Sequence, residues 1–342
     1  MSDRLLDPWT EAIDAFPLSG STSQKAIAAL RFAILAPSSH NTQPWLFRVG
    51  EQTVDMLLDR SRGLPVADPE DRELTLSCGA ALYHLRLALA TFGVGHAVQL
   101  VPDPDDPDLA ARLTLSGDTQ SSELERELFR QIPLRRTNRF PFDPAPLSGT
   151  LVRELVHAAE AEGAWVAIVE DEEDKGWLAD LIAAADRRQL ADKRFRRELA
   201  AWTRPNASHR GDGIPGYGLG LGTMASMGAP LVIRTFDTGH GRAARDRDLA
   251  LGSPALAVLG TRDDSPPELL RGGAALARML LLARVSGVFA SYLNQPVEVE
   301  DLRPEVERLV QAPGRAQLIL RLGRGRPVAP TPRRRIEEVL LG

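Results

Sequence analysis

Ala36-Pro37-Ser38-Ser39-His40-Asn41-Thr42-Gln43-Pro44-Trp45 crowds hydroxyls, an imidazole and two amides between two prolines. Upstream, Ile27, Leu30 and Ile34 recur at helical spacing and form one apolar stripe, which Pro37 brings to a stop. Downstream, Trp45-Leu46-Phe47 opens a strand. The stretch is a polar loop between a helix and a strand. It reads either as an Asx or Ser turn that satisfies its own backbone or as the lining of a polar ligand.

The same helix, small-residue loop and tryptophan-led strand recur over residues 151–169, where Trp165-Val166-Ala167 opens the strand, at a spacing of 120. A second repeat aligns without a gap at a spacing of 194. Gly79-Ala80-Ala81-Leu82, running on to Leu87 and Gly93, matches Gly273-Ala274-Ala275-Leu276, running on to Leu281 and Gly287. Both segments read as helices that are apolar nearly all round and end at a glycine. A helix without a polar face belongs at the centre of a fold, so two of them imply two related halves on one shared core. The halves fall at residues 1–120 and 121–342. The change in spacing gives the second about 74 extra residues (194 − 120), an insert at about 171–253.

Within the insert, residues 177–202 read as a basic helix, a solvated face with acidic residues interspersed and no aromatic ladder for nucleic acid. Residues 211–222 are too glycine-rich for a helix interior and suit a lid, with Ile214 and Tyr217 as its apolar anchors.

Composition narrows the function. With 342 residues, 43% hydrophobic and 25% charged, the chain can bury a generous core. A net charge of −5 gives no general attraction to nucleic acid or anionic membranes, and no apolar run approaches the ~18 residues of a membrane span. Residues 1–15 carry acidic residues where a signal peptide needs a basic and then an apolar stretch. The lone Cys78 permits no intrachain disulfide, so the expected compartment is the cytoplasm. Six scattered histidines form no zinc pattern. The alternating glycines of residues 216–222 follow no strand and do not fit a dinucleotide fingerprint.

Two arginine clusters remain. Leu134-Arg135-Arg136-Thr137-Asn138-Arg139-Phe140 sets three guanidiniums around a hydroxyl, which suits a phosphate as well as it suits a solvated basic turn. Pro332-Arg333-Arg334-Arg335-Ile336 follows an expected strand at residues 317–322; if it is extended, Arg333 and Arg335 share a face.

Together these segments resemble the flavin-dependent nitroreductase superfamily, with its APSSxNxQPW loop and RRSxRxF segment, and more narrowly its two-lobed Acg-like branch. The resemblance implies an α+β, nitroreductase-like fold with an antiparallel-rich sheet in each lobe and a pseudo-two-fold axis between the lobes. It implies FMN, held by Pro37, Ser38, Ser39, Asn41 and Gln43 along the ring and ribityl chain. Arg135, Arg136, Thr137 and Arg139 would hold the phosphate and the N1/O2 edge, with Arg333 and Arg335 completing the phosphate clamp. Asn294 and Gln295 fall where the superfamily brings backbone N–H groups to flavin N5 and O4. Thr137 stands where the family has serine, which keeps the hydroxyl.

In such enzymes two identical subunits build two sites, each taking its arginines from one subunit and its loop from the other. Here the counterpart of the arginine segment, residues 15–19, has no cation, and the counterpart of the loop, residues 157–164, lacks its pattern. One FMN per chain follows, in a monomer or weak homodimer. The implied activity is NAD(P)H-dependent reduction of a small-molecule acceptor, nitroaromatic or quinone-like, through flavin N5, with no catalytic side chain. The alternative is a flavin-sequestering protein whose lid keeps reductant out.

Overall fold

A computed structural model of the chain describes Pro8, Trp9 and residues 20–342; residues 15–19, the expected cation-free counterpart of the arginine segment, lie outside the described residues. The first helix begins with a reciprocal cap. Ser21 Oγ accepts from the Gln24 N–H, and the Gln24 side chain accepts from the Ser21 N–H, satisfying two donors that a helix start leaves bare. That helix, α1 (Thr22–Ala33), buries Ala26, Ala29, Leu30 and Phe32. Strands β1 (Trp45–Val49) and β2 (Thr53–Leu58) form a hairpin, followed by helix α2 (Arg72–Thr91) and strands β3 (Val94–Leu100) and β4 (Leu109–Asp118). The sheet runs β1-β2-β4-β3, antiparallel throughout.

Helix α3 (Glu123–Gln131) leads to the arginine segment, and α4 (Gly149–Glu160) to β5 (Trp165–Val169). The insert then supplies α5 (Glu172–Ala191), α6 (Lys193–Trp202), a two-stranded pair of β6 (Thr203–Arg204) and β7 (Ile214–Pro215), α7 (Thr223–Thr235) and α8 (Gly239–Leu251). The chain resumes with β8 (Ala255–Thr261), α9 (Pro266–Val285), β9 (Phe289–Tyr292), α10 (Gln295–Glu298), α11 (Arg303–Leu309) and β10 (Arg315–Gly323). The second sheet runs β5-β8-β10-β9, again antiparallel, which repeats the first strand for strand. Finally β11 (Leu340–Leu341) adds in parallel to the open edge of β1, so the end of the second half closes the first sheet.

Helices α2 and α9 cross between the sheets, and the crossing is reciprocal at the spacing of 194. A Cβ on Gly79 would overlap the carbonyl oxygen of Leu270, and one on Gly273 would overlap that of Leu76. The two backbones touch, with the position of that second Cβ only 2.8 Å from the Cα of Gly79. Both helices end before a glycine at positive φ, Gly93 (77°) and Gly287 (72°), where an L side chain is strained.

Three details depart from the sequence reading. Helix α4 follows α1 at a spacing of 127 (22 to 149), not 120, because the helix-to-strand link is residues 34–44 in the first half and only 161–164 in the second. Residues 157–160, expected to align with the polar loop, are therefore the end of a helix, and the loop itself is missing there. Second, the 74 extra residues are a net figure. Residues 170–254 replace the tight hairpin link 50–52, while the link before α9 (262–265) is shorter than that before α2 (59–71). Third, residues 177–202 are two helices broken at Asp192, whose carboxylate accepts from the Arg194 N–H and starts the second.

Nor is the insert simply a lid. Leu178, Ala179 and Ile182 of α5 and Ala250 of α8 pack on Leu256, Val258 and Ile319, covering the outer face of the second sheet. Only the middle of the insert reaches the first half, where Phe195, Leu199 and Ile214 join Leu64 and Ala67. Among the described residues no helix is long and apolar enough to cross a membrane.

The crossing yields a prediction. Gly79→Ala and Gly273→Ala should each destabilise by about 1–3 kcal/mol in urea unfolding, because a Cβ meeting backbone cannot be relieved by a rotamer change. Gly176→Ala, in α5 with open space around it, should stabilise by about 0.5–1 kcal/mol through helix propensity. Similar behaviour of all three would mean that the crossing does not need its glycines.

Candidate functional site

The polar loop is strained and heavily tied down. His40, Asn41 and Gln43 have φ of 49°, 57° and 54°, a region that asparagine tolerates and that costs other non-glycine residues about 1–3 kcal/mol each. Ser38 Oγ accepts from the Gln43 N–H at 3.0 Å, and Ser39 Oγ donates to the Glu73 carboxylate at the start of α2. The Asn41 amide donates to Gly213 O (3.0 Å) and Pro332 O (3.1 Å). Gln43 donates to Gly211 O (2.8 Å) and accepts from the Arg334 N–H (2.8 Å). The loop thus binds the insert on one side and the C-terminal segment on the other.

Beside it opens a cleft with about 1260 Å³ of empty space, its mouth included. The arginine segment forms one wall, held by backbone contacts to β9 at Ala290 and from beneath by Arg321, which donates to Asn138 O and Phe140 O. Arg135 and Arg333 line the cleft although 4% and 3% exposed. Arg333 donates to Asn41 Oδ1 (2.9 Å), Thr331 Oγ1 (2.6 Å) and the carbonyls of Leu35 and Ala36. Arg135 donates to Leu35 O (3.4 Å). Among the described residues neither meets a carboxylate, and the Nε of each and the nearby Tyr292 hydroxyl are buried without a partner. Burial, with Arg135 and Arg136 alongside, pushes Arg333 well below the ordinary guanidinium range. Buried cations without counter-charge are costly. An anion with several oxygens would satisfy both.

The far end of the cleft has a different character. Burial and the neighbouring Arg242 lower Arg139 to about 10, and burial with the same two arginines holds His40 at about 4, hence neutral at pH 7. Arg242 (α8) lies 3.6 Å from Asp186 (α5) and 3.4 Å from Asp246 (α8). The Gln295 amide donates to both carboxyls at 3.2 Å. Burial raises Asp186 to about 7, with Asp246 opposite adding to the shift. Along the side, Asn294 donates to Glu73 (3.0 Å) and Gln189 to Glu298 (2.6 Å). Burial, then the charge of Glu73, lifts Glu298 well above the usual carboxyl range.

Of the residues expected from sequence, Pro37, Ser38, Ser39, Asn41, Arg135, Thr137, Arg139, Ile214, Asn294, Gln295 and Arg333 line this one cleft. Four do not. Gln43 lies beneath the loop, on the contacts given above. Arg136 stacks over the Trp9 ring at 4.0 Å and donates to Pro133 O. Tyr217 sends its hydroxyl to Pro330 O at 2.7 Å. Arg335 is exposed, its N–H held by Glu338 where a short 3-10 turn begins. The alternation expected of residues 333–335 fails because Arg334 is buried too, donating to Gln43 O and lying 3.5 Å from Asp59.

The start of the glycine run is also packed more closely than a lid segment requires. A Cβ on Gly211 would stand 2.6 Å from Arg333 O, and one on Gly213 2.6 Å from Trp202 O. These glycines permit close packing. Sequence reading missed Glu73, Asp186, Arg242, Tyr292 and Glu298. Tyr292 was reachable, two positions before Asn294 at the end of a strand; Asp186 sat in what read as a solvated basic face, and Arg242 in a part of the insert with no reading of its own.

No family model matches the chain. It is 30% identical to a Mycobacterium tuberculosis protein named "Putative NAD(P)H nitroreductase acg", over 91% of this chain and 94% of that one. A second M. tuberculosis protein named as an NAD(P)H nitroreductase is 31% identical, over 91% of this chain and 89% of its own length. Superposition on the FMN-dependent nitroreductase NfnB of Mycobacterium smegmatis, solved in complex with NADPH, gives a TM-score of 0.41 at 16% identity, covering 63% of this chain and 97% of NfnB.

Arg135 and Arg333, which meet no carboxylate among the described residues, make a prediction that needs no knowledge of the natural ligand. Millimolar inorganic phosphate should raise the melting temperature of the ligand-free chain by mass action on the folded state. Arg333→Gln should abolish that increment and Arg335→Gln should keep it. Equal responses in the two variants would remove Arg333 from any anion site.

Proposed function

This chain belongs to the family of Acg-like NAD(P)H nitroreductases, and from that premise we propose that it holds one FMN in the cleft and reduces a small-molecule acceptor, nitroaromatic or quinone-like, at the expense of NAD(P)H. The observation that carries the reading is the buried pair Arg135 and Arg333, which meets no carboxylate among the described residues and has bare Nε donors in a cleft shared with Tyr292 and Thr137. A phosphate monoester fits that donor set. The Pro37–Asn41 loop would then lie along the ring and ribityl chain, with Arg139 toward the N1/O2 edge. When bound, FMN supplies the hydride chemistry of the family. The chain's own work is to clamp the phosphate, to hold donors where charge develops on the ring, and to limit water and access through Phe195, Leu199 and Ile214.

The two sheets are read as two fused lobes of an internal pseudo-dimer, monomeric or weakly dimeric, at work in the cytoplasm. One site per chain is supported by the four-residue link at 161–164, too short to form a second loop. A second reading, flavin sequestration, is favoured by the insert's attachment to the first half. Asp212 pairs with Arg62, and Glu198 accepts from the N–H groups of Val66 and Ala67 at 2.9 and 2.8 Å.

Three measurements test these readings. Heat-released FMN should approach one per chain. Arg135→Gln or Arg333→Gln should weaken FMN about ten- to hundredfold, as expected for losing a charge-assisted bond of about 1.5–3 kcal/mol, while riboflavin, which lacks the phosphate, changes little. Equal losses for both flavins would make these arginines structural. Under nitrogen, NADPH should bleach the bound flavin within the mixing time of an ordinary assay; a flavin that stays yellow would favour sequestration over turnover.

A further inference from the structure

Resting on the FMN reading, we propose that the insert completes the flavin site: Asp186 of α5 and Arg242 of α8, with Gln295, recognise the imide edge of the ring, its C2=O, N3–H and C4=O. The cleft has two poles. The Arg135 and Arg333 pole offers only donors and positive charge, as a phosphate requires. At the other pole Arg139 and Arg242 are joined by acceptors.

The acceptors are identified by exclusion. Gln295 must turn its amide nitrogen to Asp186 Oδ1 and Asp246 Oδ2, both 3.2 Å away, since the flipped amide would set its oxygen against two carboxyl groups. Its own Oε1 is left buried with no partner, and so is Asp186 Oδ2. Asp186 is 2% exposed and Gln295 8%, and both line the cleft. Either of these bare acceptors, set beside two guanidiniums, complements a ligand edge that alternates acceptor, donor, acceptor. A second phosphate suits this pole poorly, because the carboxyls of Asp186 and Asp246 stand against Arg242 and would oppose added negative charge. A flavin ring carries such an imide edge on its pyrimidine end, set apart from the central-ring N10 that bears the ribityl phosphate.

The consequence is that the insert is a wall of the site as well as its cover. Removing it removes ligand contacts that no residue of the two sheets replaces.

The test uses the full-length chain stripped of flavin and two probes, FMN and 3-methyl-FMN, which differ only in N3–H. The wild type should bind FMN about ten- to hundredfold more tightly, the range for one hydrogen bond to a buried, partly charged acceptor. Asp186→Ala or Gln295→Met should shrink that preference to within about threefold, chiefly by weakening FMN. Arg242→Gln should weaken both probes alike and keep the preference. Equal binding of the two probes by the wild type overturns the proposal, as does a preference that survives both Asp186→Ala and Gln295→Met. Binding of neither probe by the wild type would overturn the FMN reading itself. The wild-type comparison stands even if a variant fails to fold.

Discussion

At the point where α2 and α9 cross, two helix backbones are in contact with no side chain between them, and the placing of the two sheets on one core depends on that contact. Helices separated by larger residues pack with axes about 8–10 Å apart. Glycine at both Gly79 and Gly273 lets each carbonyl of the partner, Leu270 O and Leu76 O, occupy the space of a Cβ. The crossing draws the two sheets onto one core and brings Leu76 and Leu276, one from each helix, to the floor of the cleft. It also fixes the start of α2, so that Glu73 meets Ser39 from one half and Asn294 from the other. A larger residue at either glycine would displace both walls of the cleft at once.

Around this symmetric centre the two halves differ in complementary ways. The first has the long helix-to-strand link 34–44, and the second only 161–164. The second has residues 170–254 where the first turns tightly at 50–52. The chain after β10 crosses to the first sheet and ends as β11 against β1, and on the way it delivers Arg333 to the cleft and Arg334 to the underside of the loop. Each half supplies what the other lacks. A single site is what such a division of parts supports, and the same division buries residues 332–334 of the C-terminal segment as a structural element.

Periodicity and glycine placement made the central helices legible, because an apolar surface all round and a positive-φ glycine are local facts. The loop and the arginine segment were legible as compositions. Less legible was anything set by a distant partner. The face that Arg333 presents is decided by Asn41, nearly three hundred residues away in sequence (|i−j| = 292), so strand alternation had no say in it. Asp186, Arg242 and Gln295 meet across three helices, and no window of sequence contains them. The glycines of residues 211–216 looked like slack because composition cannot distinguish a backbone that must bend from one that must be approached closely.

These attachments constrain how the cleft can open. Helices α5 and α8 are bonded into the second half through Leu178, Ile182 and Ala250, so Asp186 and Arg242 cannot leave without exposing the outer face of its sheet. The middle of the insert is held by fewer apolar contacts but by many polar ones. Arg62, Arg204 and Arg210 converge on Asp212, Glu198 caps two N–H groups, and Asn41 and Gln43 bond the backbone at Gly213 and Gly211. Polar contacts that water replaces on opening cost little net, about 0.5–1.5 kcal/mol each or about 1.5–3 where a charge takes part, whereas exposing a packed apolar face costs about 25 cal/mol per Å². Opening is therefore cheapest at the tip formed by α6, β6, β7 and α7, which would uncover Phe195, Leu199 and Ile214 and leave the wall carrying Asp186 and Arg242 in place. The tip also holds Asn41 and Gln43 of the polar loop, so lifting it frees one anchor of that loop while Asp186 and Arg242 stay where the second sheet holds them.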